Sequence, residues 1–353
     1  MLWASAGWIV PLVIQADSEL IGYVRATFGL DAHPTAALTA VGRGAAGQIW
    51  RLDLGPRRYA LKELFRRPAD EDVRRETEFT AHVAGAGVVL PASLPAVDGR
   101  FVVEIPDGLG DGWLRLYEWV DGVPVDPTAD GVAEKLGDLL GRLHANARPA
   151  PDDADPWYDT TPDAATWSAL ADEAVERDVE WGPGLADRIA LIAELSWLVT
   201  PTPPDRMIMC HRDLHPGNVL VDAAGRLVLL DWDDVGPACP DRELAIVLMR
   251  WHLGEDGRVD AAALRRALTA YEAAGGPGRL RDLRSFGMSV ASDLNYLRRQ
   301  AAAALDPDTL PEHRDFAATE IQDSFAMMSS IEVLEGVLAL AGDRSQEVSC
   351  GSS

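Results

Sequence analysis

The run Cys210-His211-Arg212-Asp213-Leu214-His215-Pro216-Gly217-Asn218-Val219-Leu220, followed by Leu229-Leu230-Asp231-Trp232-Asp233, constrains the fold and chemistry of this chain more than any other part of it. A His-x-Asp-x-x-x-x-Asn cluster stands just before one short apolar strand, and a second Asp stands just after another. Phosphoryl transfer from a nucleotide requires these parts: one carboxylate to accept the proton of an attacking hydroxyl, and an amide with a second carboxylate to hold magnesium against the phosphates. On this reading Asp213 is the base. Asn218 and Asp231 are two hard oxygen ligands for Mg2+, few enough to leave positions for water and phosphate oxygens. Read as structure alone, Asp213 starts a helix, His215 to Asn218 form a turn and Asp231 ends a strand for solubility. A chance match of these residue types at this spacing has odds of about two in a thousand, which disfavours that reading.

A nucleotide pocket is expected in the N-terminal third. Residues 38–52 read as a strand, a turn carrying Gly42, Gly44 and Gly47, and a second strand through Ile49, Trp50 and Leu52, with glycines that permit close backbone approach to the phosphates of ATP or GTP. Alone, a Gly-x-Gly-x-x-Gly pattern is more often an ordinary hairpin. No helix follows at once, as a dinucleotide fingerprint requires, and no Gly-Lys-Ser/Thr marks a P-loop. Tyr59-Ala60-Leu61-Lys62 raises the value of the turn, because it resembles the Val-Ala-Ile-Lys strand of kinases and sets Lys62 beneath it. Lys62 needs a carboxylate partner, and a charged helical stretch follows at residues 70–84. Glu76 and Glu78 lie two residues apart, so they occupy different faces and only one points inward.

His-Arg-Asp-Leu-His-Pro-Gly-Asn-Val-Leu and Leu-Leu-Asp-Trp-Asp resemble the catalytic loop and metal-binding segment of the aminoglycoside phosphotransferase family, small-molecule kinases with a protein-kinase-like fold. Asp231-Trp232-Asp233 follows that family's version rather than the Asp-Phe-Gly of protein kinases, and no Ala-Pro-Glu follows it. Gly236-Pro237 and Asp241-Arg242-Glu243-Leu244-Ala245 resemble the next segment, with Glu243 where the family more often has Asp. The resemblance covers most of residues 18–340. It implies an α+β, two-lobed fold with a sheet-rich N-lobe and a mostly helical C-lobe. It also implies Glu76 as the partner of Lys62, and adenine contacts with the backbone of Glu118 and Val120, where Trp119 is either a stacking wall or core packing.

The expected division is an N-lobe at 1–120, with 1–17 an extension, and a C-lobe at 121–353. Residues 101–105 and 113–120 read as paired strands, and Asp121-Gly122-Val123-Pro124 breaks the second. Leu136, Leu139, Leu140 and Leu143 form an apolar helical stripe ending at His144, which the resemblance makes structural. Residues 149–163 read as a loop, with helices at 164–177 and 184–199. Long helices are expected at 240–254, 260–274, 279–304 and 313–341. No internal repeat is evident.

With Lys+Arg 32 against Asp+Glu 56 the formal charge is -24, which argues against nucleic acid as a partner. Such a charge attracts a cationic small-molecule acceptor, although ordinary solvation accounts for most of it. Asp233, Asp234, Glu243 and acids within 152–163 are the candidate acceptor-binding groups. An aminoglycoside-type or other antibiotic is the leading acceptor; the same fold also phosphorylates choline, homoserine, sugars and macrolides, and a kinase of another metabolite or a nucleotide-binding pseudoenzyme are the alternatives. Cys210, Cys239 and Cys350 are odd in number and argue for a reducing cytoplasm without a disulfide framework. The apolar residues 1–16 lack a basic leader and are too short to span a bilayer, so no membrane association is expected.

Overall fold

The computed structural model describes residues 18–43, 47–150, 153–254 and 256–342, so Gly44, Asp152, Cys350 and the expected extension at 1–17 lie outside the described residues. The chain divides into two compact units, Met1–Val125 with Gly217–Val235, and Asp126–Pro216 with Gly236–Ser353. The expected boundary at residue 120 therefore moves, and Gly217–Val235 joins the first unit rather than the second. The cause is strand pairing that the sequence pattern does not display.

In the first unit, α1 (Ser18–Phe28) carries Leu20, Ile21, Val24 and Phe28 on one stripe, all buried. Then follow β1 (Ala36–Arg43), β2 (Gly47–Leu54), β3 (Arg57–Leu64), α2 (Asp70–Gly85), β4 (Ser93–Leu94), β5 (Val103–Glu104), β6 (Trp113–Glu118) and β7 (Gly122–Pro124). The first six strands form one antiparallel sheet in the order β1-β2-β3-β6-β4, with β5 on β6. Register places Leu61 opposite Trp50 and Leu116, and Lys62 opposite Ile49 and Arg115. Successive side chains point to opposite faces. Trp50, Leu61 and Leu116 therefore share the face that packs with α1 in one apolar core, each large side chain contributing about 1.5–3 kcal/mol. Lys62 and Arg115 are left on the other face.

The second unit begins with α3 (Val132–Asn146), α4 (Pro156–Asp159), α5 (Ala164–Glu176), α6 (Gly182–Ser196) and β8 (Ile208–Cys210). The chain returns to the first unit for β9 (Val219–Asp222) and β10 (Leu227–Leu229), which form a three-stranded sheet in the order β10-β9-β7. The expected break at Asp121–Pro124 is thus partly a strand. The second unit then resumes with β11 (Gly236–Ala238), paired with β8, and α7 (Pro240–His252), α8 (Ala261–Ala273), α9 (Gly287–Leu305), α10 (Pro311–Met327) and α11 (Ile331–Gly342). The apolar stripe of α3 packs on α8, and a Cβ on Gly137 would stand 2.0 Å from the Ala267 carbonyl oxygen, so the helices approach more closely than any side chain permits.

Two helices differ from the periodicity. The one expected from 279 begins only at Gly287, because Asp282 accepts from the Arg284 N–H and nucleates a separate 3-10 turn, Leu283–Phe286. The one expected over 313–341 is two helices bent by 54°, with the Ser330 hydroxyl accepting from the Val333 N–H at the start of the second. Among the described residues no single helix is long and apolar enough to cross a membrane.

Candidate active site

In the first unit, β9 and β10 run antiparallel with Val219 opposite Leu229, so Asn218 and Asp231 flank the same end of one hairpin. The Leu230 N–H donates to the Asn218 carbonyl at 2.8 Å and closes that end. Asp231 has φ 54°, a left-handed conformation uncommon outside glycine, in which Asp is tolerated better than most residues. An amide and a carboxylate, both hard oxygen donors, at one hairpin end fit a divalent cation such as Mg2+.

Lys62, buried in β3, donates to Asp231 Oδ1 at 2.8 Å and to Asp233 Oδ2 at 2.6 Å. Burial alone lowers the ammonium pKa, but the two carboxylates overcome it and hold the proton more tightly than in water. Glu76 was the expected partner and is not. On α2 it shares the buried stripe with Val73, Phe79, Thr80 and Val83, and its carboxylate receives both guanidinium nitrogens of Arg115, one at 2.9 Å. The reason is register: β6 sets Arg115 directly beside Lys62, and the fork of a guanidinium matches a carboxylate better than an ammonium does. Glu78 is exposed and paired with Arg74 at 2.9 Å, so of the two glutamates Glu76 is the one turned inward.

The glycine turn is described at its two ends. Gly42 has open space around it, whereas a Cβ on Gly47 would stand 2.1 Å from the Glu63 carbonyl oxygen, so contact between β2 and β3 demands that glycine. Gln48 Nε2 donates to the Gly42 carbonyl at 2.7 Å and ties the two ends together. Further along, the Glu118 N–H donates to the Ala92 carbonyl, Val120 is half-buried, and Trp119 lies beside Arg51 with its Nε1 donating to Asp121.

In the second unit, Asp213 follows β8 on an irregular loop. Its N–H donates to His211 Nδ1 at 3.2 Å, Arg250 Nη1 donates to its Oδ1 at 2.7 Å, and His215 Nε2 stands 3.5 Å from its Oδ2. Burial pushes the carboxyl pKa up, but the hydrogen bond from His215 and the charge of Arg250 bring it down to about 2. Asp213 is thus an ionised acceptor at neutral pH.

Of the candidate acceptor-binding residues, Glu243 is corrected. Glu243 is wholly buried on α7; it accepts from the Arg212 N–H at 2.5 Å and lies 2.6 Å from His144 Nε2. A carboxylate only accepts, so His144 carries a proton on Nε2, and its Nδ1 is hydrogen-bonded with the Tyr271 hydroxyl at 2.8 Å. This network holds the loop and leaves Glu243 no face toward an acceptor. Three acids of the 152–163 segment are also engaged: Asp155 and Asp163 cap helices, and Asp159 accepts from Thr202 and Arg242. Asp233 is bound to Lys62 in the first unit, and Asp234 is exposed beside it in sequence. Arg115 and Arg250 are the side chains that the sequence pattern passed over. Arg115 interrupts an otherwise apolar strand, which was a signal; Arg250 at a helix C-terminus was not.

The chain has a protein-kinase-like α+β fold. The model of the phosphotransferase enzyme family matches residues 37–283, and the chain belongs to that family. It is 28% identical over 241 residues to an uncharacterised protein of Deinococcus radiodurans, covering 66% of each chain, and 27% identical over 169 residues to amicoumacin kinase of Bacillus subtilis, covering 46% of this chain and 47% of that one. The chain thus spans about half to two thirds of the length of these relatives. Among solved structures it resembles spectinomycin phosphotransferase in complex with ADP and spectinomycin, with TM-score 0.65 and 15% identity over 92% of this chain and 98% of that one.

Proposed function

We propose that this protein transfers the γ-phosphoryl group of ATP or GTP to a hydroxyl of a small molecule. The observation that carries the reading is the ionised Asp213 carboxylate five residues before Asn218, with Asn218 and Asp231 at one hairpin end and Lys62 bound to Asp231. In the reaction the acceptor oxygen bonds to the γ-phosphorus as the bond from that phosphorus to the β,γ-bridging oxygen breaks. The nucleoside diphosphate leaves, and the hydroxyl proton passes to Asp213. Asn218 and Asp231 would hold magnesium, which when bound would neutralise phosphate charge. Lys62 orients the phosphates, the turn of Gly42, Gly44 and Gly47 covers them, and the backbone of Glu118 and Val120 binds the base.

An antibiotic is the acceptor class we favour, supported by the likeness to amicoumacin kinase and spectinomycin phosphotransferase. Resistance is then the biological role, and the cytoplasm its setting, which the buried free thiols of Cys210 and Cys239 support. The test is incubation of the whole chain with magnesium and γ-labelled ATP or GTP across antibiotics, amino alcohols, sugars and proteins. Transfer to one small-molecule class, lost by about 10²–10⁴ in kcat in Asp213→Ala while nucleotide binding survives, is the expected result. Nucleotide binding without transfer to any acceptor overturns it in favour of a pseudoenzyme.

A further inference from the structure

Three consecutive residues of the loop are each held by one side chain of α7. Glu243 accepts from the Arg212 N–H at 2.5 Å, Arg250 donates to Asp213 Oδ1 at 2.7 Å, and Trp251 Nε1 donates to the Leu214 carbonyl at 3.2 Å. Arg212 sits at φ 67°, a conformation that a residue with a Cβ holds only when its surroundings enforce it. Helix α7 is buried along nearly all its length, and of its side chains Arg250 keeps the most contact with solvent. A rigid helix thus sets the backbone on both sides of Asp213, and Arg250 is its one contact with the carboxylate itself.

We propose that Arg250 is a positioning residue for phosphoryl transfer: by fixing Oδ1 of Asp213 it sets the direction of the other oxygen toward the acceptor hydroxyl. The proposal rests on the reading of Asp213 as the group that accepts the hydroxyl proton. A carboxylate free to turn about its last torsion presents either oxygen in many directions, and misplacement by about 1 Å costs roughly 10²-fold in rate. The titratable groups that act on Asp213 include Arg250 from α7 and His211 and His215 from its own loop. The charge of Arg250 also acts on Asp293 of α9, whose Oδ2 accepts from Ser289 Oγ at 3.3 Å. The plain alternative is a half-exposed ion pair at a helix C-terminus, which contributes little and touches no chemistry.

Arg250→Met and Arg250→Lys in the whole chain separate the two. Turnover is read with the acceptor that the substrate panel identifies and, independently of it, as hydrolysis of magnesium ATP with water as acceptor. Magnesium ATP affinity is read by calorimetry, and the Asp213 carboxyl by carbon NMR from about pH 1.5 to 7, its signal identified with Asp213→Asn. In Arg250→Met we expect kcat to fall about tenfold to a hundredfold with nucleotide affinity unchanged, and the Asp213 signal to titrate at higher pH than in wild type. Arg250→Lys keeps the charge but not the fork; it is expected to restore the titration and only part of kcat, and it decides between the two if the methionine variant does not fold. An Asp213 titration unchanged in Arg250→Met overturns the proposal whatever the turnover. Wild-type kcat in Arg250→Met beside a dead Asp213→Ala overturns it and leaves the phosphotransferase reading standing, whereas an active Asp213→Ala removes that reading first.

Discussion

Lys62 Nζ donates to Asp231 Oδ1 at 2.8 Å, joining residues 169 apart in sequence. Neither residue can be judged alone: the carboxylate keeps the buried ammonium charged, and the ammonium sets the orientation of the carboxylate that the proposed metal needs.

Asp231→Ala is therefore expected to weaken magnesium-dependent ATP binding more than Asn218→Ala, since a carboxylate brings full charge to the ion and an amide only a dipole. Calorimetry with and without magnesium measures both. Equal affinity of Asp231→Ala and wild type in magnesium places the ion on other residues.

The Glu76–Arg115 pair is buried on both sides. Removing one partner strands the other charge, so Glu76→Gln and Arg115→Met are each expected to cost about 3–5 kcal/mol, and the double variant less than their sum. Chemical denaturation tests this, and additive losses contradict it.

Glu243 carries a pKa of about 2 in the fold: burial works against ionisation, and the hydrogen bond from His144 leads the groups that outweigh it. A depressed carboxyl pKa adds stability that is complete above its unfolded value, near 4.3, and is lost as pH falls toward 2. Glu243→Gln should unfold more readily at neutral pH, by about 1.5–3 kcal/mol, and depend less on pH over that acid range. A wild-type acid profile in this variant removes Glu243 as a source of acid sensitivity.

His252 also costs stability as pH falls, but because its charged form is the one the fold disfavours. Burial lowers its pKa to about 4, and its Nε2 has no hydrogen-bond partner. The fold prefers the neutral ring, so its stability is whole above about pH 6.5 and declines as pH falls toward 4, by about 2 kcal/mol at pH 5. His252→Leu should lose less stability than wild type between neutral pH and pH 5. Thermal melts across that range decide it, and parallel curves for the two proteins refute it.

Candidate residues that lie close in sequence were legible as a group. Asn218 stands five positions after Asp213, Asp231 follows the next strand but one, and residue types that rarely coincide by chance leave few alternatives. Helix α3 was equally legible, because the apolar stripe of Leu136, Leu139, Leu140 and Leu143 is a local property. Tertiary structure decided what local pattern cannot express. The pairing of β3 with β6 put Arg115 beside Lys62 and gave it Glu76, leaving the ammonium to Asp231 and Asp233. The pairing of β7 with β9 moved Gly217–Val235 into the first unit. Glu243, an acid in a chain rich in acids, became a buried support for the loop because α7 is enclosed on all sides. Strand register and burial are set by residues far apart in the chain, so a carboxylate reads the same in sequence whether it will bind a ligand, pair with an arginine or hold a backbone N–H.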